Sequence, residues 1–430
     1  MSIETVLQAR REHVVTSLRI EVVDGPDRGK HAIAADAELA VGTARDNQLV
    51  LADFTVSRYH LEAAVRSGGI ALHDLGSTNG TYVGAVRIER ALLPPGTLVK
   101  LGGTTVRFDD AVRTTVPAPP PASFAGMVAS APQMLKLFGD LERVAPAATS
   151  VLIVGESGTG KEKVAEAVHA RSGRSGPLVT IDCGALPSNL LASELFGHER
   201  GAFTGADRTH VGAFERAGTG TVFLDEIGEL PPADQVALLG VLERRRFRRV
   251  GGTTELELGA RVVAATNRDL RAEVNNGRFR HDLYHRLAVV VLRLPPLRER
   301  AEDIPLLVAH FARELGIEGA SADVFGDELL ARWQRHPWPG NIRELRNAVE
   351  AASIVGPGGP EPIAAGAGPA ASEGLAPYKE ARAAHVAAFE HAYLSRLLLE
   401  AQGNVSKAAR LARMDRSHLI DLLHRHGLKA

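Results

Sequence analysis

The chain has 430 residues, 45% of them hydrophobic and 23% charged, with a net charge of −1. That is the balance of a folded protein of roughly three domains, and it excludes a whole-molecule electrostatic footprint, so nucleic-acid contact must come from a local patch. The single cysteine, Cys183, excludes an internal disulfide, no stretch approaches the ~20 apolar residues that span a bilayer, and MSIETVLQARREHVV lacks a signal-peptide core, which together point to a cytoplasmic protein without membrane contact.

Two composition shifts divide the chain. TTVPAPPPAS (114–123) marks a semi-rigid linker, assigned to 113–122, and VGPGGPEPIAAGAGPAASEG (355–374) a flexible one, assigned to 355–375. The expected domains are therefore 15–112, 123–354 (with a helical lid over about 297–354) and 376–430.

In the first domain the runs LRIEVV, QLVL, HLEAAV, IALHD, TYVG, LVKL and TVRF alternate apolar and polar residues between turn signals, the pattern of an all-β sandwich. DFTVSRYH (53–60) and DLGSTNGTYV (74–83) interrupt that pattern. In this order and spacing they resemble the forkhead-associated (FHA) domain, which binds phosphothreonine peptides. The resemblance puts Ser57, Arg58, Ser77, Thr78 and Asn79 on the binding loops and His60 behind them. A phosphate calls for hydroxyls, amides and a guanidinium. The family's usual Gly-Arg is Gly42-Thr43 here, leaving Arg45 or Arg58 to meet the phosphate. The other reading is that both motifs brace the sandwich, which then docks unphosphorylated partners.

The second domain opens on SVLIVGESGTGKE, an apolar strand running into Gly155, Glu156, Ser157, Gly158, Thr159, Gly160 and Lys161, then a helix. This is P-loop context: backbone N–H groups wrap phosphates at the helix N-terminus and Lys161 reaches the β/γ oxygens of ATP. Glu162 stands where a Mg²⁺-binding hydroxyl is usual, which shifts the metal onto the downstream acids. TVFLDEIGEL ends a second strand in Asp225, to hold Mg²⁺, and Glu226, to polarise the attacking water. RVVAATNRDL ends a third in Asn267, suited to sensing the γ-phosphate. Three strands with functional groups at their C-terminal ends predict a parallel α/β sheet.

GESGTGKE, ELFGHERGAFTGA, LDEIGELP, ATNRDL, FRHDLYHRL, LPPLRER and WPGNIRELRN follow in order. The domain closely resembles the AAA+ domain of bacterial sigma-54-dependent transcription activators. By that resemblance Asn267 is sensor I, Arg280 and Arg286 are fingers reaching a neighbour's nucleotide, and Arg343 is sensor II. The loop Gly201, Ala202, Phe203, Thr204, Gly205 and Ala206 would touch sigma-54, which explains an aromatic held on a glycine-flanked tip. Asp182 occupies a position where the family commonly has asparagine restraining the catalytic glutamate, and the basic run ERRRFRR (243–249) reads as a subunit interface.

The third domain has two predicted helices, SKAARLAR and SHLIDLLHRH, around a short turn, which is helix-turn-helix spacing. Residues 403–430 carry six Lys or Arg against two Asp, a net of +4 in a chain of −1. GN-x-S-x-AA at Gly403–Ala409 resembles the Fis-type tail of the same activators. The resemblance puts Arg416, Ser417, His418 and Asp421 at the front of the recognition helix and Arg425 near the phosphates of upstream DNA.

The fold class expected is thus multidomain: an all-β FHA sandwich, an α/β P-loop ATPase with a helical lid, and an all-α helix-turn-helix. The function implied is an ATP- and Mg²⁺-dependent activator of the sigma-54 RNA polymerase holoenzyme. It would assemble as a hexamer from dimers and be controlled through a phosphothreonine protein or a Ser/Thr kinase. Two rivals are an AAA+ remodelling machine with no role at promoters, and a scaffold with a degenerate ATPase.

Overall fold

The computed structural model describes residues 12–34, 38–66, 68–117, 120, 122–185, 187–317 and 325–355, and in the C-terminal unit residues 394, 397, 401, 405–412, 414, 419 and 423. The chain separates into two units, Met1–Ile363 and Ala364–Ala430.

The N-terminal part of the first unit is the expected sandwich. One sheet runs, in spatial order, His31–Ala34, Glu12–Asp24, Thr104–Pro117, Leu98–Leu101, Thr81–Val83 and Val86–Ile88; the other runs Leu49–Val50, Glu38–Gly42, Leu61–Arg66, Gly69–Asp74 and Arg90–Leu93. Every pairing is antiparallel except that of Glu38–Gly42 with Leu49–Val50. Alternation does what the sequence pattern requires. Leu18, Ile20 and Val22 from one sheet meet Leu39, Val41, Leu61, Ile70 and Leu72 from the other in one apolar layer. One boundary differs from expectation: the strand Thr104–Pro117 continues through the first half of the assigned linker and pairs with Glu12–Asp24 as far as Glu12↔Pro117. Thr114, Thr115 and Val116 are β-branched and favour extended backbone, and Pro117 sits at the strand's end, where a missing N–H breaks no interior ladder.

In the motor, β1 (Val151–Val154), β2 (Leu178–Asp182), β3 (Thr221–Asp225), β4 (Arg261–Thr266) and β5 (Val290–Arg293) form a parallel sheet in the order β2-β3-β4-β1-β5. β4 is buried along its whole length, as a sheet covered on both faces demands. Helix α1 (Lys161–Ala170) follows β1, α2 (Pro232–Arg244) follows β3, and α3 (Leu270–Asn275) and α4 (His281–Leu287) follow β4. The lid comprises α5 (Ile304–Glu314), α6 (Asp327–Arg335) and α7 (Asn341–Val355), closed around Trp333, Trp338, Phe311 and Leu345.

In the second unit a helix spans Val405–Ala412, and Leu394, Leu397, Ala401, Ala408, Ala409, Leu419 and Leu423 form an apolar cluster. Arg416, Ser417, His418, Asp421 and Arg425, the expected DNA contacts, lie outside the described residues. Among the described residues no helix is long and apolar enough to cross a membrane.

A nucleotide pocket and an exposed hairpin

The strand-end residues converge as the sequence pattern requires. Lys161 opens α1 behind Gly160, whose φ of 102° is open chiefly to glycine. Its ammonium donates to O of Gly155 at 3.0 Å and lies 3.3 Å from Oε1 of Glu226. The other carboxylate oxygen of Glu226 accepts the N–H of Asn267 at 3.0 Å. The P-loop lysine, the strand-end glutamate and the backbone N–H of Asn267 are thus linked in one chain of contacts. Glu226 sits at φ 48°, ψ 49°, a left-handed conformation costing a non-glycine residue about 1–3 kcal/mol and typical of functional sites. Asp225 accepts the N–H of Glu226 at 2.9 Å. Burial pushes the Asp225 carboxyl above its ordinary range; the Glu226 N–H and the Lys161 charge oppose the rise, while the charges of Glu226 and Asp182 add to it.

The lid closes on the P-loop through more residues than the sequence suggested. Arg343 donates to Oγ of Ser157 at 3.3 Å. Beyond it, Arg298 forks onto Glu156 at 2.6 and 2.8 Å, holding that carboxyl below its usual range. Asn341 donates to Glu156 and to O of Ser157, and buried Arg300 donates to O of Thr159 at 3.0 Å. A Cβ at Gly158 would stand 2.3 Å from O of Gly340, so the lid packs directly on P-loop backbone. Glu162 is exposed in the first turn of α1, and Thr159 spends its hydroxyl on O of Glu156. Asp182 accepts the N–H groups of Gly184 and Ala185, closing its own turn. Cys183 is buried filler, its thiol pushed up to about 12 by that burial.

Arg280 caps the start of α4 and forks onto Asp282 at 2.7 and 3.0 Å, and Arg286 is exposed in the last turn. Neither has a described contact with the P-loop. In the run 243–249, Arg246 and Arg248 pair with Glu255, and Arg249 bridges Glu199 and Glu215.

Gly201–Ala206 forms the tight hairpin its glycines permit: Gly201 N–H donates to O of Ala206 at 2.8 Å, and Gly201 and Gly205 take φ of 81° and 96°. Phe203 lies outside the hydrophobic core, 36% exposed, edge-on to His198 at 4.9 Å. Thr204 is exposed beside it.

On the sandwich, Arg45, Arg58, Thr78 and Asn79 are exposed. Ser57 Oγ accepts the N–H of Thr78 at 3.0 Å, and Asn79 donates to O of Thr55 at 2.7 Å. His60 is fully buried, accepts the N–H of Ser57 on Nδ1 and lies 3.3 Å from O of Gly80 on Nε2; its burial lowers the imidazole's pKa. Ser77 is only 3% exposed and donates its hydroxyl to Asp74, so it braces the loop from inside. A Cβ at Gly42 would meet O of Arg58 at 2.0 Å, which explains the glycine there.

This constellation, a P-loop on a five-stranded parallel sheet with strand-end acids and a three-helix lid over the phosphate loop, defines an AAA+ ATPase domain. Residues 127–293 match the sigma-54 interaction domain, 298–362 the AAA+ ATPase lid domain, and 21–111 the model described as the cytoplasmic domain of an inner membrane component of T3SS. The transcriptional regulatory protein GlrR of Escherichia coli strain K12 is 42% identical over 327 residues, covering 75% of this chain and 73% of GlrR. ZraR of the same strain is 51% identical over 236 residues, 54% of each chain. NtrX of Brucella abortus, solved with ADP, is 35% identical over 70% of this chain and 69% of its own, with a TM-score of 0.50. Solved FHA domains align with 21–23% of this chain, at TM-scores of 0.20 to 0.22. The chain belongs to the family of sigma-54-dependent transcriptional regulators, and it spans about half the length of ZraR and the relatives that match similarly.

Proposed function

We propose that this protein is a cytoplasmic activator that hydrolyses ATP in an assembled ring, hexameric by family resemblance, to open promoter complexes of the sigma-54 RNA polymerase holoenzyme. The observation that carries it is the pairing of an intact catalytic chain, Lys161–Glu226–Asn267, with a glycine-flanked hairpin that holds Phe203 and Thr204 outside the core. Lys161 and the P-loop amides bind the phosphates, Glu226 accepts a proton from the attacking water, and Asn267 reports the γ-phosphate. Asp225 lies within electrostatic reach of Glu226, Asp182 and Lys161, and a strand-end carboxylate beside the P-loop suits a divalent cation; Asp225 would hold Mg²⁺, which neutralises phosphate charge when bound. Arg280 and Arg286 serve a neighbour's nucleotide, and Arg343 couples the lid to the P-loop. The C-terminal unit anchors upstream DNA through Arg416, Ser417, His418, Asp421 and Arg425.

The test is ATP-dependent open-complex formation on a sigma-54 promoter by purified polymerase. Wild type is expected to support it, and Thr204→Ala to hydrolyse ATP at a similar rate while opening nothing. Equal opening by both proteins would remove the hairpin from the coupling role. Hydrolysis with no opening by wild type, across DNA templates and phosphopeptide additions, would favour the remodelling machine.

The sandwich is the input. Arg58 and Arg45 supply the guanidinium, Ser57 and Thr78 the hydroxyls and Asn79 a peptide contact. A phosphothreonine peptide library is expected to bind wild type at least tenfold more tightly than its unphosphorylated control, and Arg58→Ala to remove most of that difference, since a charge-assisted bond to phosphate is worth about 1.5–3 kcal/mol. Binding that ignores the phosphate would leave the sandwich as a docking module for unmodified partners.

A further inference from the structure

One amide of the motor holds the two loops of the sandwich that carry Ser57, Arg58, Ser77, Thr78 and Asn79. Asn275, at the end of α3, donates its side-chain N–H groups to O of Tyr59 and, at 2.9 Å, to O of Leu75. Tyr59 directly follows Ser57 and Arg58, and Leu75 lies two residues before Ser77. Between Leu75 and Ser77, Gly76 takes φ 68° against the side chain of Asn276, which a Cβ would meet at 3.2 Å.

The rest of the contact falls on the same motor elements. The ring of Tyr59, 1% exposed, packs edge-on to Tyr284 of α4 at 5.6 Å, and its hydroxyl donates to Asp46 at 3.0 Å and lies 3.5 Å from Nε2 of His285. Glu62 pairs with Arg271 of α3 and, at 3.0 Å, with Arg293 of β5. Helix α4 is the one that Arg280 caps and on which Arg286 sits. A sandwich seated against His281, Tyr284 and His285 stands on the helix that must approach a neighbouring subunit for either arginine to reach its nucleotide.

The loops are also closed in this arrangement. Thr78 N–H is spent on Ser57 Oγ and the Asn79 amide on O of Thr55. A phosphothreonine peptide that takes the Thr78 N–H or the bonded Asn79 N–H for itself breaks these bonds and shifts the segments adjoining Tyr59 and Leu75.

We propose that the sandwich masks the finger helix α4 of its own chain, clamped by Asn275 and Glu62, and that a phosphothreonine peptide releases the mask by opening the two loops that Asn275 holds. The inference rests on the ring and phosphopeptide readings above. The two states differ in their contacts: docked with the loops closed, or undocked with the loops open. Linkage makes the coupling reciprocal, so whatever weakens the clamp must tighten peptide binding by the factor by which peptide weakens the clamp.

The experiment uses the full chain and two variants on opposite sides of the contact, Asn275→Ala and Glu62→Gln. Mass photometry with ATP reads assembly, phosphate release reads turnover, and a degenerate phosphothreonine peptide library with its unphosphorylated control reads affinity. Wild type is expected to stay below ring mass with low turnover, and both variants to assemble and turn over roughly tenfold faster, within the usual range of coupling between sites. The phosphorylated library should produce the same change in wild type and bind Asn275→Ala more tightly by a similar factor. Equal assembly of wild type and both variants overturns the mask whatever the turnover. Variants that assemble without hydrolysing ATP support the mask and overturn the ATPase reading instead.

Discussion

Glu226→Gln is expected to leave ATP binding nearly intact and to slow hydrolysis by ~10²–10⁴-fold, the usual worth of a positioned general base. Glutamine has the same length and keeps one acceptor, so it can still take the N–H of Asn267 that Glu226 accepts at 3.0 Å. What it lacks is the charge facing Lys161 at 3.3 Å and a basic oxygen for the water proton. The left-handed backbone at φ 48° is stored strain at the end of β3 and survives the substitution, because it belongs to the chain path and not to the carboxylate. Phosphate release and binding of a fluorescent ATP analogue, measured on the same preparation, separate the two effects. Wild-type turnover in the variant would move the base elsewhere in the pocket, and loss of binding would mean that Glu226 holds Lys161 in place and little more. Asp225 adds a pH signature. Its carboxyl is raised by burial, so in the metal-free protein its charged form begins to be lost at a higher pH than for an ordinary aspartate, and Mg²⁺ binding, measured by calorimetry against pH, should begin to weaken at a correspondingly higher pH.

The parts of this site legible in the sequence are those in which chemistry is local. A glycine loop between an apolar strand and a helix, acids at strand ends, and a hairpin with glycine at both ends declare themselves within a dozen residues. Contacts between distant segments do not. The arginines of LPPLRER were visible as a motif, yet nothing in it says that Arg298 meets Glu156, 142 residues away, or that Arg300 meets Thr159. Asn341 was hidden for a different reason: it adopts φ 53° beside Trp338 at φ 48°, a turn that Pro339-Gly340 announced without revealing which side chain it would aim at the P-loop. The basic run at 243–249 reads as a subunit interface in the sequence, which cannot show that its own glutamate partners, Glu199, Glu215 and Glu255, lie elsewhere in the chain or across a short hairpin. Asn275 is the extreme case, since its two acceptors are 216 and 200 residues away. Proline content misled at 114–117, where β-branched neighbours carried the strand on. Ser77 belongs to a motif whose residues face different ways, and only the fold separates the buried brace from exposed Thr78 and Asn79.

Asp303→Ala is expected to cost the motor about 1–3 kcal/mol for each buried donor it leaves unsatisfied, out of a total stability of about 5–15 kcal/mol. Asp303 is fully buried, and one carboxylate oxygen accepts the N–H of Ser130 at 2.6 Å, the N–H of Ala131 at 2.7 Å and the Ser130 hydroxyl at 3.1 Å. Its charge also supports Arg300, whose guanidinium is pulled down to about 10 by burial against the opposing pull of Asp303. Arg300 therefore stays charged at neutral pH and donates to O of Thr159 in the P-loop. Alanine strands two backbone donors and a buried cation at once. Asp303→Asn keeps an acceptor of the same shape without the charge, so it should lie between alanine and wild type. Thermal unfolding of the three proteins, with and without ATP, reads both consequences: the melting temperatures should rank wild type, Asn, Ala, and the shift produced by ATP should shrink in the same order as Arg300 loses its hold on the phosphate loop. Equal ATP-induced shifts with a lowered baseline would confine Asp303 to tying Ser130 and Ala131, at the start of the helix Pro132–Val144, against the lid. An unchanged baseline would mean that the interior solvates Arg300 without help from this carboxylate.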